Sequence, residues 1–284
     1  MSERILLKGL LASDYASPAD QAAIRALEKV PLLPKAVKVF NEHGLDRWLY
    51  VYNMGRSVRC GPRQMSSLHK MLREACAILD VAEPELYVGY HPFVNAFTGG
   101  VERPYIVLRS SMIDALTDDE LLYVIGHELG HIKSNHVLYF MVGTLIKPLL
   151  ELIGRRTLGI GDAASFGLLM AIYEWQRWAE VTADRAGLLC VQDLNTVLSA
   201  QMKLCAGPNR FSDEFSLEAF KDQARTYQNV ETKDAVGKML WFILANWQTS
   251  HPMWIHRAQQ LEKWHEQGAY SSIIRQKSLL EATK

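Results

Sequence analysis

His127-Glu128-Leu129-Gly130-His131, HELGH, is the stretch from which the rest of this chain is read. It sits in a segment, Asp118 to His136, that carries helical signals from its start. Thr117 predicts an N-cap, and Asp118, Asp119 and Glu120 put negative charge in the first turn, where the helix dipole favours it. Leu121, Leu122, Val124, Ile125, Leu129 and Ile132 then recur at helical spacing. On such a helix His127 and His131 are about 40° apart around the axis and about 6 Å apart along it. Two imidazoles on one face can share a metal ion. Glu128 is turned by about 100° from His127, which suits a general base beside the ion better than a ligand. Two imidazoles, a third donor and an open position point to zinc, one ion per chain.

With 284 residues, 49% hydrophobic and 22% charged, the chain can bury a full core. Lys plus Arg (31) balances Asp plus Glu (31), so no bulk field points to nucleic acid or to an anionic membrane. Cys60, Cys76, Cys190 and Cys205 form no CxxC pair and read as reduced thiols of a cytoplasmic protein. The opening MSERILLKGLLASDY has too short an apolar run for a signal peptide.

Working outward, residues 1–58 read as a helical N-terminal section packed on a catalytic domain, 59–284. In the first section Ser17-Pro18 opens a helix, and the aromatic-rich Arg47 to Tyr52 reads as extended. A helix from Arg63 to Leu79 follows, with Met65, Leu68, Leu72, Cys76 and Leu79 on its core face. Leu86 to Tyr90, a piece around Val94 to Phe97, and Tyr105 to Leu108 read as three strands of a small antiparallel sheet. The fold class is α+β, predominantly helical. After His136 the halves of an apolar hairpin, Val137 to Ile153 and Ala163 to Tyr173, both fall short of the roughly 18–20 apolar residues that span a bilayer. Buried helices are the better reading of 137–173, with peripheral membrane contact as its competitor. Helices are expected over Glu174 to Cys190, Val197 to Leu204 and Trp254 to Gln267, and a polar flap over 209–238.

Two histidines leave a zinc ion short of a ligand. Glu180, in Trp178-Ala179-Glu180-Val181, is a carboxylate in apolar surroundings, and such groups need a partner or a metal. Asp184, four residues on, shares its helical face and can accept the free N–H of a ligating imidazole. An ion pair with Arg177 or Arg185 is the plainer account of this acidic pair. His136 falls about 140° from His131 around the helix, a poor third ligand and a structural residue. Asn95-Ala96 reads either as an edge strand that pairs with a substrate backbone or as a plain turn. His251 has three readings, an oxyanion donor, an inhibitory fourth ligand or a surface histidine. The stiff turn made by Pro252 favours the first. Arg257 is the other candidate for stabilising the oxyanion, although such an arginine more often serves in an ion pair.

HELGH, with His136 behind it and Glu180-x-x-x-Asp184 later, resembles the HtpX-like zinc metallopeptidases, the group that includes the CAAX prenyl proteases. Pro84-Glu85-Leu86-Tyr87-Val88 followed by Asn95-Ala96-Phe97 resembles the family's strand pair. His251-Pro252 with Arg257 resembles its late His-Pro…Arg element. The resemblance covers about residues 60–265. It implies zinc held by His127, His131 and Glu180, with Glu128 as catalytic base. Many relatives carry a transmembrane pair between the HELGH helix and the ligand Glu. Here only the interrupted hairpin stands there, so the chain reads as a soluble member.

The function expected is that of a zinc metalloendopeptidase acting on peptides or unfolded proteins, in keeping with protein quality control. The rivals are a latent, zinc-stabilised chaperone-like module and a membrane-surface adaptor. Glu128 argues against the first, because a structural site needs no base and closes its fourth position; flotation with liposomes separates the second from a freely soluble enzyme.

Overall fold

The computed structural model of the protein describes residues 4–29, 33, 37, 40, 44–141, 143, 162–207, 210–227 and 253–282. Its organising element is the HELGH helix. Thr117 caps it by a reciprocal pair of bonds: Thr117 Oγ1 accepts from the Glu120 N–H at 3.4 Å, and Glu120 Oε2 accepts from the Thr117 N–H at 2.9 Å. Preceding it in the chain are helices α1 (Ala12–Tyr15), α2 (Pro18–Glu28), α3 (Leu45–Met54), α4 (Ser66–Leu79) and α5 (Ser110–Ala115). The HELGH helix itself is α6 (Asp118–Lys133). After it come α7 (Asp162–Val191), α8 (Leu194–Ala206), α9 (Leu217–Tyr227), α10 (Trp254–Glu266) and α11 (Ala269–Ala282).

The strands are β1 (Val58–Arg59), β2 (Glu85–Gly89), β3 (Ala96–Gly99) and β4 (Tyr105–Arg109), in the spatial order β1-β2-β4-β3. The α+β, helix-dominated class holds, but the sheet is mixed rather than wholly antiparallel, because β2 runs parallel to β4, with Leu86 opposite Ile106. β4 is the most apolar strand and takes one of the two inner places, buried on both faces. The hairpin through Gly99-Gly100 sets β3 on one side of β4, and β2 takes the other. Ile106 and Leu108 face the main core with Leu86 and Val88. Tyr105 and Val107 face the opposite way, with Tyr87 and Tyr50.

Tyr50 lies on α3, so the stretch expected to be extended is helical. Local aromatic content suggested a strand, but tertiary contacts decide otherwise. Leu45 and Leu49, one turn apart, pack toward Phe40 and Trp175. Asp46, in the first turn, accepts from the Val101 and Glu102 N–H groups at 2.9 and 3.1 Å. Met65 also departs from expectation: it is 44% exposed and precedes α4 in the left-handed region, at φ 52°. Ala163 to Tyr173 is helical, as part of the first turns of α7, and residues 144–161 of the expected hairpin lie outside the described residues. The described part of the expected flap forms α9, which packs through Phe220 and Ala224 on Leu198 and Ala258. No helix among the described residues is long and apolar enough to cross a membrane.

The tightest packing is between α6 and α7. A Cβ placed on Gly130 would lie 2.7 Å from Ala186 Cβ and 3.1 Å from Ala183 Cα, and one on Gly126 would lie 2.5 Å from Cys190 Cβ. On α7, a Cβ at Gly187 would meet the Tyr123 ring at 2.6 Å. These glycines let the two backbones approach closely enough for their side chains to share one site.

Gly130→Ala adds about 1 kcal/mol of helix propensity, yet the clash is with backbone and Cβ atoms that cannot swing aside. Overpacking of about 1–3 kcal/mol is expected to win, so the melting temperature should fall; a rise would show that the helices part without cost. Glu120 gives a pH-dependent case. Burial raises its carboxyl, but hydrogen bonds from Lys203, Thr117 and Ser199 outweigh burial and hold it below its ordinary value of 4.5. Glu120→Gln should therefore cost about 1–2 kcal/mol at pH 7. The gap to wild type should stay full above pH 4.5 and close as the pH drops through the lower value of the folded state. Denaturant titrations of both proteins between neutral and acid pH check this, and a constant gap would rule out a contribution from the charge.

Candidate metal centre

Helical periodicity sets the rings of His127 and His131 edge to face with centroids 4.8 Å apart, and their Nε2 atoms come within 3.2 Å. The close crossing of α6 and α7 brings Glu180 opposite them. Glu180 Oε2 is 3.5 Å from His127 Nε2, and Oε1 is 3.5 Å from His131 Nε2. All three side chains are buried. Donors held by one tetrahedral ion at bonds of roughly 2.0–2.2 Å stand roughly 3.3–3.6 Å apart, so this set fits a cation of zinc's size. Its chemistry fits too. Two imidazole nitrogens facing each other can share at most one proton, whereas a cation satisfies both and the carboxylate together.

Asp184 lies one turn beyond Glu180 and is fully buried. Its Oδ1 is 2.9 Å from His127 Nδ1 and accepts from Tyr123 Oη at 2.7 Å. Arg257, from α10, donates through Nε to Asp184 Oδ2 at 2.7 Å and through a terminal nitrogen to Oδ1 at 2.5 Å. The other terminal nitrogen is 2.9 Å from Glu180 Oε2. Burial opposes ionisation of Asp184, but the Arg257 charge, its hydrogen bonds and those of His127 prevail and hold the carboxyl well below the usual range. Burial likewise opposes the Arg257 cation, and the charges of Asp184 and Glu180 overcome it.

Glu128 is 1% exposed and borders a cavity of about 490 Å³ that His127, Met112, Val124 and Trp254 also line. Thr98, on β3, donates its hydroxyl to Glu128 Oε2. His136 sits behind the donor cluster: its Nδ1 is 3.0 Å from His131 Nδ1, and its Nε2 is 3.1 Å from Asp20 Oδ2.

Of the residues singled out from sequence, His127, His131, Glu180, Asp184, Glu128 and Arg257 come together here. Asn95 and Ala96 line the same cavity where β3 begins. Arg257 is in ion pairs with both Glu180 and Asp184, and its guanidinium lies 4.1 Å from the centroid of the Trp254 ring. His251 lies outside the described residues. Sequence reasoning missed Thr98, Tyr123 and Asp20. Tyr123 precedes His127 by one helical turn and had a readable signal in that spacing. Thr98 and Asp20 reach the site only through tertiary structure.

Residues 62–265 of this chain match the family model of peptidase family M48. Plastoglobule-localized metallopeptidase 48, chloroplastic, of Arabidopsis thaliana is 33% identical over 282 residues, covering 95% of this chain and 78% of that protein. Protease HtpX homolog 2 of Methanosarcina acetivorans is 25% identical over 169 residues, covering 52% of this chain and 58% of its own length. Protease HtpX homolog 1 of Sulfurisphaera tokodaii is 29% identical over 164 residues, 55% of this chain and 50% of its own length. No solved structure matches. With most of its length matched and the two-histidine, one-glutamate cluster inside that match, the chain belongs to peptidase family M48 and is a metal-dependent peptidase.

Proposed function

We propose that the chain is a zinc-dependent endopeptidase in which His127, His131 and Glu180 hold one zinc ion and Glu128 is the general base. The observation that carries this reading is the convergence of three buried donor atoms, 3.2–3.5 Å apart, beside a cavity that Glu128 also lines. Bound zinc supplies the Lewis acidity that acidifies a water molecule and polarises a scissile carbonyl. Glu128 takes the water's proton and passes it to the leaving amine. The Thr98 hydroxyl occupies one carboxylate oxygen of Glu128 and fixes its orientation.

Asp184 holds His127 in the tautomer whose Nε2 is bare. Arg257 offsets the charge of Glu180 and Asp184, which leaves the oxyanion role to His251. An extended peptide or unfolded protein segment is the substrate, aligned along Asn95 and Ala96, as suits protein quality control. Residues 1–58 form a helical section packed on a catalytic domain of 59–284. For location we propose the cytoplasm, in line with the free thiols of Cys60, Cys76 and Cys190, with contact between 137–173 and a membrane surface as the second placement. Flotation with liposomes separates the two.

Metal analysis, coupled to cleavage of an unfolded protein with and without chelator, tests the assignment. His127→Ala, His131→Ala and Glu180→Ala should each lose zinc and activity; full zinc content in Glu180→Ala would remove that residue from the ligand set. Glu128→Gln should keep zinc and lose more than the roughly 10²–10⁴-fold of a single acid–base group, because water activation also fails. Cleavage at the wild-type rate would refute the mechanism. His251→Ala should lower turnover about 10²–10³-fold, whereas a rise at unchanged zinc content would make His251 an inhibitory ligand.

A further inference from the structure

The two imidazoles of the donor cluster are backed in different ways. His127 meets a carboxylate directly, Asp184, within the matched region. His131 reaches one through a second histidine. His131 Nδ1 is 3.0 Å from His136 Nδ1, and His136 Nε2 is 3.1 Å from Asp20 Oδ2. Asp20 belongs to α2, outside residues 62–265 that match the family. All three side chains are buried. Asp20 is itself held: Thr182 Oγ1 donates to Oδ2 at 2.7 Å and accepts from the Ser17 N–H at 3.0 Å.

Proton positions in this row are set by chemistry. A carboxylate only accepts, so the proton of neutral His136 lies on Nε2, and its Nδ1 is a bare acceptor. His131 must then donate from Nδ1, which leaves its Nε2 lone pair, on the Glu180 side, in the form a metal requires. Were the Asp20 acceptor absent, His136 could carry its proton on Nδ1 and set two donors against each other. A second feature marks the site. Asp20 Oδ1 is buried with no hydrogen-bond partner among the described residues, a costly state for a carboxylate kept only for packing.

We infer that Asp20 and His136 are positioning residues for the metal centre, so that the N-terminal helix α2 supplies the carboxylate that fixes His131 as a ligand. This rests on the proposed role of His131. The test uses the full chain, with zinc affinity measured by competition against a chromophoric chelator and with the visible absorption bands of the cobalt-substituted protein. Asp20→Ala and His136→Ala should each weaken zinc binding about 10–100-fold, the usual effect of losing an outer-shell partner, and alter the cobalt bands. The double variant should bind no more weakly than the worse single, because one relay is broken only once. Asp20→Asn, whose carbonyl still accepts from His136, should recover most of the affinity. Leu27→Ala is the control: Leu27 is a fully buried α2 residue packed with Trp175, and its loss should lower stability while leaving zinc affinity and the cobalt bands in place.

Wild-type zinc affinity in folded Asp20→Ala would overturn the inference, as would additive losses in the double variant or an equal loss in Leu27→Ala. If Asp20→Ala does not fold, His136→Ala carries the same comparison. Zinc retained in His131→Ala would instead bring down the ligand set itself, a separate failure.

Discussion

The close crossing of α6 and α7 is the constraint on which the rest depends. A metal centre assembled from two helices needs donor atoms a little over 3 Å apart, and short acidic side chains and imidazoles cannot bridge a wide gap. Gly126 and Gly130 on α6 face Cys190, Ala186 and Ala183 on α7, and Gly187 faces Tyr123. Each of these contacts lacks room for another carbon. Gly130 thus has a part in HELGH besides spacing the histidines, since it lets Glu180 and Asp184 lie against them. Ordinary helix packing, with axes about 8–10 Å apart, leaves room for larger side chains between the helices. Here that room is given up for function.

Crowding charges into this crossing creates an electrostatic demand. Glu128, Glu180 and Asp184 are all buried, and Arg257 is the buried guanidinium that meets two of them. Among the described residues that sets three carboxylates against one guanidinium, an excess of acceptor oxygens that suits a cation. Buried ions cost several kcal/mol each unless paired (on the order of what a single strong contact returns). The arrangement is therefore built for a metal rather than for stability alone. Arg257 fits that logic better as the group that holds the acidic pair than as one that waits for a substrate.

What was legible in the sequence follows from how far each feature reaches along the chain. The cap at Thr117, the shared face of His127 and His131 and the one-turn spacing of Glu180 and Asp184 are all set within a few residues, and helical geometry translates them directly. That carboxylates in an apolar stretch require a partner is equally local. The helical state of Leu45–Met54 is not, because it is decided by Phe40, Trp175 and the backbone after Gly100. The parallel pairing of β2 with β4 depends on which strand is central, and three short strands in a row do not reveal that. Thr98 and Asp20 carried no signal at all. A threonine in a strand and an aspartate in a first helical turn are common, and only the tertiary structure sets them beside Glu128 and His136.

His136 shows how a helical angle can hide a neighbour. A helix continued past Lys133 would set it about 140° around the axis from His131. Yet the chain leaves α6 at Ser134 and turns through Asn135 in the left-handed region, at φ 57°. His136 is thereby carried back beneath His131, and its own N–H bonds to the His131 carbonyl at 3.0 Å. The ring is then edge-on to Trp175 and faces α2. The same two-residue exit that ends the metal helix thus turns its last histidine toward the N-terminal section. The family match begins at residue 62, but the physical boundary of the centre does not. His127 meets a carboxylate from within the match, and His131 reaches one from outside it through His136. A section that looks like an appendage in the sequence therefore shares a hydrogen-bonded row with the metal site.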